Sequence, residues 1–390
     1  FSFYSKDRLF WSLPLPATKF HIAPENRDKA AETLVKAEKH NKMFIETDSY
    51  AVYGVQGGRD YMQDFYAVQE NDPVTGASFY AVFDGHVSQV VKYSKLVMKL
   101  KEVCVHFNTD FFSLFCTGYS YQGSQRTLRN LKSNKSFEFQ TNEGIDYEKL
   151  LKDVFLSTDR DLCEKLLAKG EDSGTTAIVA MIQGTRLIVA NAGDSRGVMY
   201  DSDGFAVPLS FDHKPESEEE RKRIIAAGGK VLYSNYAYRV DGYLATSRAL
   251  GNCLWKPQNR IIATPDVLIF DLSEYRPQFI VLATDGLWNI FTSEAAVSVI
   301  KNRFNQSYFG AMDLTRLSIV WGSSDNTSIM VINLKNYAWP EKKPMKKKSR
   351  SLTSAFSSKR SSKSSSQSSK TFSRRSSISR VSRSASNQSP

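Results

Sequence analysis

The sequence lacks the features of membrane, disulfide-rich and zinc-binding proteins. No apolar run approaches the ~18 residues of a membrane-spanning helix, so we expect no membrane span. The four cysteines, Cys104, Cys116, Cys163 and Cys253, show no Cys-x-x-Cys spacing. This pattern predicts neither a disulfide framework nor a zinc site and favours a reducing, intracellular location, cytoplasmic or nuclear. The chain begins with Phe1 rather than Met, so the absence of a visible signal peptide carries little weight.

Acidic residues are almost absent from the C-terminal region. Residues 341–390 contain 14 Lys and Arg residues and one acidic residue. Subtracting these from the 52 basic and 41 acidic residues of the whole chain leaves 38 and 40 for residues 1–340. Because the body is near neutral, we do not expect it to bind nucleic acid, whereas weak contact through the basic tail stays open.

Composition divides the chain into three regions: residues 1–49, a weakly patterned segment with a helix between Asn26 and Met43 outside the main core; residues 50–335, a folded domain with a polar loop or insertion at 105–145; and residues 336–390, a tail. The tail has 20 serines in its last 42 residues and cannot bury enough apolar surface to fold, which predicts disorder. Within the domain, short strands alternate with long helices, predicted over 88–103, 146–169, 216–227 and 293–304. This pattern is typical of an α+β protein.

Two apolar strands of the domain end in Asp-Gly. Phe79–Phe83 leads into Asp84-Gly85-His86, and Phe279–Thr284 leads into Asp285-Gly286. At one rim of a sheet, two such carboxylates need a counter-charge, which a hard divalent cation supplies well. Taken singly, each Asp-Gly is more often simply a turn.

A series of short polar motifs completes the pattern: Arg59 and Asp64, Asp84-Gly85-His86, Ser173 to Thr176, Gly193-Asp194-Ser195-Arg196, Asp212 to Pro215, Ser247 to Gly251, Asp285-Gly286 and Asp325-Asn326. In this order the series resembles the metal-dependent serine/threonine phosphatases, the PPM or protein phosphatase 2C family. The resemblance implies a four-layer α-β-β-α sandwich of two antiparallel sheets flanked by helices. It also implies a site for two Mn²⁺ or Mg²⁺ ions and hydrolysis of phosphoserine and phosphothreonine in proteins.

The family's functional residues map onto matching positions of this chain. Asp84 would bridge the two metals, which the other ligands would complete: Asp64, the Gly85 carbonyl, Asp285 and Asp325. A bridging water activated by the metals would attack the phosphate. Arg59 would bind the phosphate oxygens and His86 would protonate the leaving oxygen. We interpret Asp194 as a turn residue.

The chain departs from the family pattern at four places: Gln63 before Asp64, Val87-Ser88 after His86, Asn252 after Gly251, and Asn289 in place of the final aspartate of DGxWD. That aspartate resembles a ligand to a third metal, paired with the position of Asp212, so Asn289 is expected to weaken the third site. Since all five positions of the main metal site are intact, we favour a divergent enzyme. A pseudophosphatase that serves as a binding scaffold is the alternative.

The resemblance implies phosphoprotein substrates, and we expect a monomer. In the tail, Arg374 and Arg375 precede Ser376 and Ser377, a pattern that suits basophilic kinases. Phosphorylation there would replace positive charge by negative charge and could change the tail's partners. A solvating tail without a specific partner is at least as good an interpretation.

Overall fold

A computed structural model of the chain describes residues 27–38, 42–71, 76–87 and 146–339. Two antiparallel β-sheets stack face to face, and helices cover their outer surfaces. The predicted α+β sandwich is therefore confirmed. Among the described residues, no helix is both long and apolar enough to cross a bilayer.

The first sheet has six strands in the order β1-β2-β15-β14-β8-β9. Their bounds are β1 Lys42–Glu46, β2 Tyr50–Val55, β8 Arg196–Tyr200, β9 Ala206–Pro208, β14 Phe279–Ala283 and β15 Thr327–Asn333. The second sheet has the order β12-β5-β4-β6-β7-β13, with β3 also paired to β4. Its strands are β3 Asp64–Gln69, β4 Ser78–Val87, β5 Ser173–Thr175, β6 Ala177–Gln183, β7 Arg186–Ala192, β12 Leu250–Gly251 and β13 Asp266–Asp271. A separate hairpin joins β10, Val231–Ser234, to β11, Ala237–Val240.

Strand β14 shows how the layers form. All five of its residues are buried, because side chains alternate between the two faces of the sheet and both faces are covered. Ile280 and Leu282 belong to the core between the sheets, whereas Phe279, Val281 and Ala283 belong to the core beneath the helices. The run of apolar residues in the sequence thus reports a strand covered on both faces.

Most of the helices pack on the outer faces of the sheets. Their bounds are α1 Arg27–Glu38, α2 Tyr147–Leu167, α3 Glu218–Ala226, α4 Leu272–Tyr275, α5 Asp285–Trp288, α6 Ser293–Arg303 and α7 Ala311–Val320. Helix α2 begins after Asp146, whose carboxylate accepts a hydrogen bond from the backbone N–H of Lys149, and it covers the second sheet. Helices α6 and α7 cover the first sheet.

The N-terminal helix differs from the sequence prediction in extent and in role. It ends at Glu38, and Met43 lies in the edge strand β1. Leu34 and Ala37 are buried in the core beneath the helices, and Glu38 accepts a 2.7 Å hydrogen bond from Arg316 of α7. The expectation that this helix lies outside the main core is therefore wrong, since its apolar residues complete the helical layer.

The cysteines also behave differently from the prediction. Cys163 of α2 and Cys253 form a disulfide, with their Cα atoms 5.4 Å apart and a separation of 90 positions in sequence. Cysteine spacing along the chain could not reveal this pair, because only the fold brings α2 beside the segment that follows β12.

Three further predictions concern residues outside the described ranges. They are the helix at 88–103, the loop or insertion at 105–145, and the tail, of which only residues 336–339 are described.

Candidate active site

Four aspartates lie at one edge of the two sheets. Asp64 opens β3 and is the register partner of Asp84 near the end of β4. In the first sheet, Asp285 follows β14 at the start of α5, and Asp325 lies two residues before β15. The two sheets stack so that strand ends from both contribute carboxylates to the same edge.

Thr284 links the two sheets at this edge. Its hydroxyl donates a 2.8 Å hydrogen bond to Asp64 Oδ2 and accepts a 3.0 Å bond from the backbone N–H of Ser328. Asp64 is fully buried, and its second carboxylate oxygen, Oδ1, has no hydrogen-bond partner among the described residues. A buried, unpartnered carboxylate oxygen is unfavourable, so a cation or a proton at Asp64 Oδ1 would stabilise the folded chain.

Burial and neighbouring carboxylates raise the pKa values of Asp64 and Asp84. Burial, together with the charges of Asp325 and Asp285, raises the pKa of Asp64 to about 8. The hydrogen bonds that Asp64 accepts lower its pKa but are outweighed. Burial and then the charges of Asp285 and Asp64 raise the pKa of Asp84 well above its usual range. This edge of the protein therefore concentrates negative charge that a cation would stabilise.

Arg59 lies on a tight loop beside the carboxylates. Its guanidinium donates a 2.5 Å hydrogen bond to Asp325 Oδ2, and the side chain is 55% exposed. Asn326 holds this loop, since its amide donates to the carbonyls of Gln56 and Tyr61. Gly57 has a φ of +66°, and a Cβ atom there would lie 2.2 Å from the carbonyl oxygen of Asp325. The loop therefore requires glycine to approach the strand so closely.

His86 lies at the end of β4, next to the Asn252 side chain. Its Nε2 atom is 2.6 Å from Asn252 Oδ1. Burial lowers the pKa of His86, while the contact with Asn252 and the nearby carboxylates oppose this shift. A Cβ atom on Gly174 would lie 2.0 Å from Asn252 Oδ1 and 2.8 Å from His86 Nε2, so this packing requires glycine.

Lys214 joins the carboxylate cluster to Asn289. Its Nζ atom lies 2.5 Å from Asp194 Oδ2, 3.6 Å from Asp285 Oδ2 and 3.5 Å from Asn289 Oδ1. Asp212, in contrast, accepts two hydrogen bonds from Arg196, at 2.8 and 2.7 Å. Asp194, and not Asp212, is therefore the carboxylate that shares a partner with Asn289. Asp194 lies in the bend between β7 and β8, where the sequence predicts a turn residue, and its ion pair with Lys214 was not predicted.

The donors at this edge fit hard divalent cations, which prefer carboxylate and carbonyl oxygens. Within the described ranges, no three acidic, histidine or cysteine side chains form a ready-made metal cage. Two cations of the protein instead partner the cluster, Arg59 at Asp325 and Lys214 at Asp285. Together with the unpartnered oxygen of Asp64, these pairs show a carboxylate set in need of positive charge.

Comparison with known proteins decides the family. The protein phosphatase 2C family profile matches residues 118–327. The chain is 36% identical to bovine (Bos taurus) protein phosphatase 1L over 308 residues, which cover 78% of this chain and 77% of that protein. It is 32% identical to probable protein phosphatase 2C 11 of Arabidopsis thaliana over 73% of this chain and 66% of the relative.

The chain belongs to the protein phosphatase 2C family. A crystal structure of serine-threonine phosphatase 2C from Toxoplasma gondii superimposes with a TM-score of 0.60 at 20% identity, over 76% of this chain and 99% of that one. A C. elegans sex determining protein superimposes with a TM-score of 0.57 at 18% identity, over 80% of this chain and 71% of that one. At these identities the structural likeness supports the shared fold alone.

In this member of the protein phosphatase 2C family, the sequence motifs identified most of the residues at the carboxylate edge but not the residues that hold them in place. The structure brings together the predicted residues: Arg59, Asp64, Asp84, Gly85, His86, Asp285 and Asp325. Sequence reasoning did not find the supporting roles of Thr284, Asn326 and Lys214. Asp194 carried a usable signal, because it lies just beyond the buried strand β7, as Asp285 lies just beyond β14.

Proposed function

We propose that this protein hydrolyses phosphoserine and phosphothreonine residues in proteins and that it requires Mn²⁺ or Mg²⁺. The observation that carries the proposal is the close set of four carboxylates, Asp64, Asp84, Asp285 and Asp325, two of which have raised pKa values, beside the exposed guanidinium of Arg59. A phosphate monoester needs both a cationic binding group and a set of metal ligands, and this edge offers both.

The four aspartates and the Gly85 carbonyl would hold two metal ions. When bound, these ions supply Lewis-acid chemistry, which makes a water molecule a better nucleophile near neutral pH. Asn289 provides a neutral amide where the family has a third-site carboxylate, and the Lys214 ammonium already contacts Asp194 and Asp285. Both features disfavour a third cation at this position.

Arg59 and His86 would act on the substrate directly. The planar guanidinium of Arg59 can donate two parallel hydrogen bonds to phosphate oxygens, and its exposure lets it exchange Asp325 for the substrate. His86 would donate a proton to the leaving serine or threonine oxygen. Because Asn252 Oδ1 accepts the hydrogen on Nε2, His86 would deliver the proton from Nδ1 as the doubly protonated imidazolium.

A pseudophosphatase scaffold is the second candidate, and a specific observation favours it. Arg59 and Lys214 already pair with carboxylates, and Gln63 and Asn289 reduce the negative charge that attracts metals. If these internal cations outcompete divalent ions, the same fold serves only to bind partners.

The full-length chain tests both candidates with a phosphothreonine peptide. We expect turnover in Mn²⁺, none in EDTA and none in an Asp285→Asn variant, with two Mn²⁺ ions bound per chain in equilibrium dialysis. Asp203→Asn is the matched control, because Asp203 is exposed in a distant turn and should retain turnover. A folded wild-type chain that binds no Mn²⁺ and hydrolyses no peptide would refute the enzyme and leave the scaffold.

A further inference from the structure

The segment of residues 251–256, here named the Asn252 loop, positions His86. Asn252 is 1% exposed and has left-handed backbone angles, φ 49° and ψ 53°. Its Oδ1 atom meets His86 Nε2 at 2.6 Å, in a space that Gly174 leaves open only because it has no side chain. With so little room, a small displacement of the Asn252 loop changes the orientation of the imidazole.

Helix α2 and the turn after it hold the Asn252 loop in place by three attachments. Asp159 accepts hydrogen bonds from the backbone N–H of Gly251, at 2.8 Å, and from Lys256 Nζ, at 2.9 Å. Asp172 accepts bonds from the loop's Leu254 N–H and Trp255 Nε1. The third attachment is the disulfide from Cys163 to Cys253, the residue directly after Asn252. Among these attachments only the disulfide is covalent, and a thiol reductant can open it.

We propose that the Cys163–Cys253 disulfide is a redox-controlled positioning device that holds Asn252 against His86, so that its reduction slows phosphate-ester cleavage. The proposal rests on the phosphatase function proposed above. Cys253 is buried, whereas Cys163 is partly exposed on α2, so an incoming thiolate reaches the Cys163 sulfur first. Attack there releases the Cys253 thiolate, which is the half that adjoins the positioning residue.

A dithiol reductant opens the disulfide, and glutathione disulfide is the oxidant that closes it again. In reduction, one reductant thiolate attacks Cys163 Sγ, the Cys163–Cys253 bond breaks, and a mixed disulfide forms. The second reductant thiol then displaces Cys163, so that two electrons and two protons have passed to the two cysteines. In oxidation, the two cysteine thiols pass two electrons and two protons to glutathione disulfide, which becomes two glutathione molecules.

The test compares the full-length chain in its two redox states, each desalted and then supplied with Mn²⁺. Thiol titration after denaturation should count two more thiols in the reduced chain than in the oxidised chain, since the described residues contain one disulfide, and all four cysteines should titrate in the reduced chain. For a phosphothreonine peptide we expect kcat to fall about 10-fold on reduction with little change in KM. This loss is smaller than the ~100-fold that marks the lower end of general-acid catalysis, because Asp159 and Asp172 still hold the loop.

Variants and a second readout separate positioning from simple destabilisation. Cys163→Ser should remain in the slow state under both conditions, whereas Cys116→Ser should keep the full redox response. The imidazole ¹⁵N signals of His86, assigned with a His86→Gln variant, should shift on reduction at constant pH.

Two results would overturn the proposal. One is an unchanged kcat and an unchanged His86 signal after four thiols are counted. The other is a chain in glutathione disulfide that still titrates four thiols. If neither redox state hydrolyses the peptide, the proposed phosphatase function is wrong, and the His86 signal alone tests the positioning role of the disulfide. A redox-dependent shift of that signal supports the role, and an invariant signal overturns it.

Discussion

At the scale of single residues, the carboxylate edge stores unfavourable electrostatic energy in the folded chain. Asp64 and Asp84 are buried near Asp285 and Asp325, and burial and like charge raise the pKa values of the first two. Sites that bind ligands or perform chemistry commonly show such perturbed groups, because binding a cation recovers the energy. Removing one of these carboxylates should therefore stabilise the metal-free chain.

We predict that Asp84→Asn raises the unfolding temperature in EDTA and abolishes the further rise that Mn²⁺ gives the wild type. The amide removes a like charge from the cluster, which stabilises the metal-free chain. It also removes a metal ligand, so Mn²⁺ binding no longer stabilises the folded state. Thermal unfolding with and without Mn²⁺ measures both effects. Asp203→Asn should behave as the wild type, and an Mn²⁺-induced rise that survives in Asp84→Asn would contradict this role for Asp84.

At the scale of elements, helix α3 is joined to the segment before β12 by a buried ionic network. Glu220, 4% exposed, accepts hydrogen bonds from Arg248, Arg223 and Ser247. Arg248 also donates to Asp266 on β13, so the network reaches the second sheet. Although burial opposes ionisation, these donors lower the pKa of Glu220 from 4.5 to about 2.

Because the pKa of Glu220 is lowered in the folded chain, the contribution of Glu220 to the free energy of unfolding decreases at low pH. Its stabilisation is complete above about pH 4.5 and is lost as the pH falls toward about 2, because the folded state must then take up a proton. We predict that Glu220→Gln lowers the free energy of unfolding by about 3 kcal/mol near neutral pH and that the difference from wild type narrows below about pH 4.5.

Urea unfolding at a series of pH values measures this prediction. Glu219→Gln is the matched control, since Glu219 is the exposed neighbour on the same helix. A Glu220→Gln chain as stable as the control throughout would show that the network contributes nothing to stability.

At the scale of the whole molecule, the two sheets are held together by the apolar core between them. Leu282 of β14 is fully buried in this core, whereas Ile269 of β13 is 52% exposed. We predict that Leu282→Ala lowers the free energy of unfolding by about 2–5 kcal/mol, because it leaves a cavity between sheets that both carry site residues. Ile269→Ala should cost less than ~1 kcal/mol.

Urea unfolding compares the two variants under identical conditions. Since the sheets separately supply Asp84 and Asp285, Leu282→Ala should also weaken Mn²⁺ binding in equilibrium dialysis. Equal stability losses for Leu282→Ala and Ile269→Ala would contradict the assignment of the inter-sheet core.

The sequence by itself determined the class of fold and the chemical groups of the site. Apolar runs that end in Asp-Gly specify strands that place carboxylates at their ends, and this local pattern needs no knowledge of distant residues. The helix predicted over 146–169 is observed at Tyr147–Leu167 for the same reason, because its signals are also local. Helix α1 was misjudged because its buried face depends on α7, almost three hundred residues away.

Only the tertiary structure decided which side chains serve each other. The disulfide joins residues 90 positions apart, Thr284 donates a hydrogen bond to Asp64 of the other sheet, and Lys214 forms an ion pair with Asp194. Such pairs are set by how sheets stack and loops cross, and their energies depend on burial that a linear pattern does not encode. Sequence therefore specified the donors and acceptors, and packing selected their partners.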